Sequence, residues 1–357
     1  MTLIPKLYFL YLAKLYTKNF LVILLGMSLM FVLIDYLGHA NKVSGSTNQL
    51  IMYVYYIWQS SLTMLYPLAL VFAVIVTKMN LVKNNTMGAL HSFGYSKRTL
   101  FAPIFTVGAI VYIVFVWLQT SSFAYAKDDA QMLIGNGSAR ASKNLFFKYN
   151  DTFVYIDKLD PVAKKIIGVS LFKTDKDHIE YTMKAPYALY NGKSWDVHNV
   201  VMYRNHYTNG YLDRYSIEQY KTMTTLDGYK PAIMESINEG SSLTLIDAFG
   251  TWELFESQGL NSDKIRAGIY DKVVFPLFAF SLMVLLFFKI PFLSRFGSIA
   301  KITTISLGGS LLAWGTLMGL SYLGANGVVM PEISSFVPIM LLSGYAIMEY
   351  FARESTV

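Results

Sequence analysis

The 357-residue chain has no cysteine, which excludes disulfides, thiolate metal sites and cysteine nucleophiles and leaves the compartment open. Charge is scarce as well: Asp, Glu, Lys and Arg make up 15% of residues, against 54% hydrophobic ones. The five histidines, His39, His91, His178, His198 and His206, fall into neither an H-x-x-x-H nor an H-E-x-x-H arrangement. Without cysteine, a structural zinc site then has too few ligands. His198 and His206 sit in strand-like runs and read as solvent-facing. No G-x-x-x-x-G-K-[ST] loop is present to cradle phosphates, and no G-x-S-x-G elbow to present a serine. Acids buried deep in several apolar segments, which an ion or proton relay needs, are also missing. Catalysis within this chain and ion-driven transport are both disfavoured.

What remains is apolar, with a mean hydropathy of +0.39. Six stretches, about residues 20–38, 62–78, 100–121, 273–288, 299–323 and 335–351, are long and apolar enough to cross roughly 30 Å of hydrocarbon as helices. The first lacks a small-x-small cleavage site and reads as a retained span, not a signal peptide. Eleven basic residues lie in the termini and short loops on one side, and only Lys42 lies in those on the other. Short cytoplasmic loops collect Lys and Arg, so both termini are expected in the cytoplasm. The net charge of +7 is then a topology signal and not a nucleic-acid footprint.

Between the third and fourth spans, residues 122–242 are polar and β-patterned, as in NLFFKYNDTFVYIDKL and HIEYTMKAPYALYNGKSWDVHNVVMYRN. Aromatic or β-branched residues alternate with polar ones, and Asn150-Asp151, Asp175-Lys176-Asp177 and Asn191-Gly192 mark turns. Asn191-Gly192 is the strongest hairpin signal. A sandwich or jellyroll with one wet face fits this pattern. Residues 243–257 then turn amphipathic and helical, within a connecting segment 243–270. The chain thus divides into 1–121 (three spans), 122–242 (β domain), 243–270 (connecting helix) and 271–357 (three spans). The fold class expected is an α-helical polytopic membrane protein of six transmembrane helices with an inserted all-β jellyroll-like periplasmic domain.

The loop at 79–98, MNLVKNNTMGALHSFGYSKR, carries Lys83, Lys97 and Arg98 and no acid. It reads as a short helix at about 84–94, capped by Asn84 or Asn85 and ended by Gly94 in the left-handed conformation. Thr86, Leu90 and Phe93 at i, i+4 and i+7 make one face, flanked by Met87. Such a helix set between two spans either lies on lipid or plugs a groove on a soluble partner. Four further features stand out. Asp35 lies near His39 and Lys42 and reads as an interfacial acid satisfied by water or a neighbouring base. Glu349 and Arg353, at i and i+4, form an anchoring pair, and Lys289 snorkels to headgroups. Tyr53, Tyr55, Tyr56 and Trp58 form an interfacial belt. Gly308, Gly309, Gly315 and Gly319 open one face of the fifth span, and Gly315 with Gly319 forms a G-x-x-x-G that admits another helix.

These features together resemble the LptF/LptG (YjgP/YjgQ-type) lipopolysaccharide export permeases, over essentially the whole length. Three stretches carry the likeness. The first runs from Leu65-Tyr66-Pro67 to Met87-Gly88-Ala89-Leu90-His91-Ser92-Phe93-Gly94-Tyr95-Ser96. The second is Phe153-Val154-Tyr155-Ile156. The third runs from Trp252 through Gly259 to Tyr270-Asp271-Lys272-Val273-Val274-Phe275-Pro276-Leu277 and leans toward LptG. The resemblance implies an inner-membrane permease subunit with no cofactor and no catalysis of its own. It implies pairing with a homologous second permease and ATP hydrolysis by a separate dimeric ABC ATPase (LptB-like). Lipopolysaccharide would pass to periplasmic jellyroll proteins (LptC/LptA-like). It further makes Thr86, Met87, Leu90, His91, Phe93 and Gly94 the ATPase-coupling helix. His39 and Lys42 become lipid-phosphate contacts, and Gly308, Gly309, Gly315 and Gly319 gate packing. Thr86 stands where the family usually carries an acid. The competing reading is a membrane-anchored periplasmic binding or assembly protein without ATPase coupling.

Overall fold

A computed structural model describes residues 7–39, 46–134, 142–161, 163–175, 178–208, 211–231, 233–234, 243–291 and 298–352. The chain forms two compact units, Met1–Lys127 with Asp263–Val357, and Asp128–Ser262.

The first unit holds six helical segments long and apolar enough to cross a membrane. In chain order they comprise α1 (Leu7–His39), α2 (Thr47–Lys83), α4 (Lys97–Leu118), α7 (Asp263–Val273) continued by α8 (Phe278–Lys289), α9 (Ile299–Ala325) and α10 (Pro331–Ala352), with the short α3 (Thr86–Ser92) between α2 and α4. Several run past the limits that hydropathy suggests. At 1.5 Å per residue the 37-residue α2 is about 55 Å long, well beyond the hydrocarbon thickness. Polar residues prolong a helix at no cost once its end reaches water or headgroups. The fourth span differs in another way. Helix begins ten residues before 273, breaks into a 3-10 turn at Phe275–Leu277, and resumes. Pro276 has no N–H to continue the α ladder, which explains the break.

Helix α2 is the axis of this unit. In its most apolar stretch 67% of residues are buried, against 22% for α1 and 11% for α9. Leu70, Val74, Leu81, Phe101, Ile104, Phe278, Met283 and Phe287 form one core between α2, α4 and α8. Polar groups inside it find partners, as they must in lipid. Tyr16 Oη donates to the Leu70 carbonyl at 3.0 Å, Asn19 Nδ2 to Thr77 Oγ1 at 2.8 Å, and Tyr112 Oη to the Val273 carbonyl at 2.9 Å.

The second unit opens with α5 (Ala126–Ile134), a helix with Asp128 and Asp129 in its first turn, in a region expected to be β. Acids in a first turn suit the positive end of the helix dipole. Six antiparallel strands follow: β1 (Ser142–Tyr149), β2 (Thr152–Asp160), β3 (Lys165–Asp175), β4 (His178–Tyr190), β5 (Trp195–Thr208) and β6 (Tyr211–Thr225). They lie side by side in chain order, so the β domain is a meander among the described residues. Asn150-Asp151 turns β1 into β2, with Asn150 left-handed at φ 51°. Asn191 and Gly192 (φ 103°) start a four-residue turn between β4 and β5, in which Asn191 Oδ1 accepts from the Lys193 and Ser194 amides. Of the third expected turn, Lys176 and Asp177 lie outside the described residues.

One sheet face buries Leu145, Val154, Ile156, Leu171, Met183 and Val197. Trp195, fully buried, donates its indole N–H to the Tyr229 carbonyl at 2.7 Å. Tyr229 Oη in turn donates to Gln258 Oε1 at 2.8 Å, tying α6 (Leu245–Ser257) to the sheet. Burial drives the Tyr229 phenol well above its ordinary pKa. Strand β6 is an edge, exposed over most of its length, with Tyr211, Tyr215 and Ile217 bare.

Candidate functional site: the α3 loop and its anchors

The loop after α2 takes its form from two asparagines and a glycine. Asn84 closes α2, and Asn85 takes the left-handed conformation (φ 55°), which Asn tolerates better than most L residues. Neither asparagine side chain caps α3, contrary to expectation, because a left-handed Asn85 turns its side chain away from the amides that a cap must reach. Helix α3 is seven residues long, Thr86–Ser92, against the expected span of about 84–94. Gly94 does supply the left-handed residue beyond its end, at φ 83°. Ser96 Oγ then caps α4 by accepting from the Thr99 amide at 3.2 Å.

The expected apolar face of α3 divides. Met87 is fully buried in the helical core and Leu90 packs against that core. Thr86 is half-buried, whereas His91 and Gly94 are exposed and Phe93 is 79% exposed. His91 Nδ1 lies 3.1 Å from the Tyr95 carbonyl, and the Tyr95 ring packs on Tyr8 at 4.4 Å. The loop is thus pinned from within by Met87, Leu90 and Tyr95, and presents Phe93 outward.

Two cations flank this helix. Lys78, one and a half turns before the end of α2, is fully buried. Its ammonium donates to the carbonyls of Phe287 and Ile290, at the C-terminal end of α8. It also stands 4.9 Å from the centre of the Phe287 ring. The last carbonyls of a helix lack intrahelical partners and carry the negative end of its dipole, so a buried ammonium is satisfied there. Arg98, in the first turn of α4, lies 4.3 Å from the Tyr350 ring and donates to the Tyr350 carbonyl at 3.3 Å, in the last turn of α10. A further cation, Lys289 at the end of α8, donates to Tyr345 Oη and pairs with Glu349 at 3.4 Å. Glu349 thus meets α8, and its expected partner Arg353 lies outside the described residues.

These anchors carried a sequence signal. Val74, Ile75, Leu81 and Val82 lie three and four residues either side of Lys78 and are buried, so Lys78 stands on the apolar stripe of its helix.

At the opposite end of α1, Asp35 accepts a hydrogen bond from Tyr53 Oη. His39 Nδ1 lies 3.4 Å from the same carboxylate and 3.0 Å from the Asp35 carbonyl. The acid is satisfied by a neighbouring base together with Tyr53, which was read only as part of an interfacial belt. Lys42 lies outside the described residues. On α9, Gly308, Gly309, Gly315 and Gly319 are all exposed, and a Cβ added at any of them meets nothing within 4 Å. They share one face of the helix with Leu312, which is 75% exposed.

Compared with known families, residues 10–350 match the profile described as lipopolysaccharide export system permease LptF/LptG. A comparison with curated proteins finds no match.

Proposed function

Because the chain belongs to the family of lipopolysaccharide export permeases LptF/LptG, a multi-pass transporter component of the inner membrane and not an enzyme, we propose that it is the permease subunit through which a separate cytoplasmic ATPase drives lipopolysaccharide out of the membrane. The observation that carries this reading is α3: a helix pinned by Met87 with Phe93 79% exposed on its outer side. An aromatic standing out of an anchored turn is the form of a side chain that fills a pocket on a partner. In this reading the α3 end faces the cytoplasm and the β domain faces the periplasm. The ATPase is dimeric and ABC-type, and a homologous second permease completes the assembly, with this chain leaning to the LptG side. Lipopolysaccharide enters from the outer leaflet and passes by way of the β domain to a periplasmic jellyroll bridge.

The same geometry supports the proposed coupling residues. Phe93 is the plug, His91 and Gly94 shape its surroundings, and Met87 and Leu90 hold the helix. Thr86 offers only a hydroxyl, so docking here rests on apolar contact more than on a charge pair. His39 and Lys42 remain the proposed phosphate contacts.

Gentle extraction followed by intact mass measurement of the complex tests the reading. A second six-span permease, two ATPase copies and retained lipopolysaccharide are expected. A lone chain or homodimer under several mild detergents would sink it and favour a membrane-anchored binding protein, with α3 lying on lipid. The docking role has its own test in Phe93→Glu, which perturbs no packed contact and is expected to abolish ATPase association. Leu90→Glu is less telling, because Leu90 packs on the core.

A further inference from the structure

Helix α3 buries a single side chain, Met87. Its own packing gives it little leverage over the spans. Any displacement must travel through the two stems of the loop, the end of α2 and the start of α4. Both stems are fastened to helices from the second half of the chain. Lys78 closes the C-terminal end of α8, and Arg98 closes that of α10. A lysine serving only membrane topology snorkels toward water. Lys78 has no exposure at all and points inward at two carbonyls. An ionisable group held inside a span is costly unless it has partners and a purpose.

The two fastenings form one network. Phe287, beside the Lys78 ammonium, lies 5.1 Å from Phe101 of α4. Phe288 meets Tyr350 edge to face at 5.1 Å, and Tyr350 carries the Arg98 guanidinium. Helices α8 and α10 are cross-linked again by Lys289 with Glu349, and by the Ser281 and Ser343 hydroxyls at 2.7 Å.

We propose that Lys78 and Arg98 are positioning residues for transport, clamping the coupling helix α3 to the C-terminal ends of α8 and α10 so that these elements move as one body. The proposal rests on the reading that α3 receives the mechanical input. It gives the second half of the chain a direct share in a stroke delivered to the first half. Two rings and two helix ends carry the force, so neither cation is replaceable by a merely apolar residue.

The absence of cysteine allows two introduced ones to be labelled selectively. Spin labels at Ala89→Cys on α3 and Met348→Cys on α10, both exposed, are read by pulsed electron resonance in the whole complex, with and without ATP and vanadate. With native Lys78 and Arg98, one narrow distance is expected in both states. In the Lys78→Met, Arg98→Met double variant the distance is expected to broaden and to change with nucleotide. Lipopolysaccharide release is expected to fall about tenfold while ATP hydrolysis stays within about twofold, a coupling loss of ordinary size. Arg98→Lys, which keeps a cation near the Tyr350 carbonyl, restores part of the release. An unchanged narrow distance and unchanged release in the double variant overturn the clamp. If the double variant does not fold, Arg98→Met alone carries the test, since Arg98 is only half-buried. If no ATPase accompanies the native chain, the functional reading fails separately. The label distances in the chain alone still decide whether the clamp holds.

Discussion

The C-terminal end of α1, away from the α3 loop, holds an acid that restrains the nearest base. Asp35 lies within ion-pair distance of His39 and accepts from Tyr53, so its carboxylate repels any phosphate that approaches His39. Asp35→Asn keeps the shape and the Tyr53 hydrogen bond and removes that charge. Retention of lipopolysaccharide by the purified complex, read by native mass spectrometry, is expected to rise. Unchanged or lower retention means that His39 is not a phosphate contact. At the same scale Phe93 and Leu90 differ. Phe93→Glu is expected to leave the thermal unfolding of the chain within about 0.5 kcal/mol of native, as surface substitutions do. Leu90→Glu lowers stability as well as docking, because its carboxylate enters the core margin. Sequence spacing put both residues on one face. Only the contacts of α3 with the core tell which part of that face is turned inward.

Among the elements, the β2–β3 pair depends on a glycine. Gly168 has φ +67°, and a Cβ there would stand 1.8 Å from Asp157 Oδ2 on the neighbouring strand. Gly168→Ala therefore adds both backbone strain and a clash, and costs about 1–3 kcal/mol. Faster hydrogen exchange at β2 and β3 amides, with α2 and α8 unaffected, is the expected signature. Equal exchange in native and variant protein counts against the strain argument. The strands themselves were legible in sequence, because period-two alternation is a local property of a half-buried sheet. The α5 helix was not: Ala126–Ile134 is short and nearly neutral in hydropathy, with an acid pair in its first turn. The limits of α2 were missed for a related reason, since hydropathy reports where lipid begins and not where the helix stops.

At the scale of the whole molecule, α9 is the least buried span, and its glycine face is open along four positions. Gly315→Leu fits the single chain without a contact. It also improves helix propensity by roughly 1 kcal/mol, so the fold is expected to persist. If a second permease packs on that face, association between the two subunits falls while each remains folded, which cross-linking and size measurement of the complex check. Unimpaired association would assign the glycines to lipid contact. Three spans before an inserted sheet and three after it agree with the family match over residues 10–350.

Sequence by itself determined the number of spans, their order around the β insertion, and two of the turns between strands. Each of these follows from properties local in the chain: hydropathy over about twenty residues, alternation over about eight, and side-chain chemistry at single positions. Tertiary structure alone decided the partners of the charges and the side of α3 that faces out. Lys78 meets a carbonyl 209 residues away, Arg98 one 252 residues away, and Lys289 draws Glu349 to α8. Such pairs form because a buried charge accepts whatever complementary group the packing brings within reach, and packing is set by the helices together, not by the neighbours in sequence.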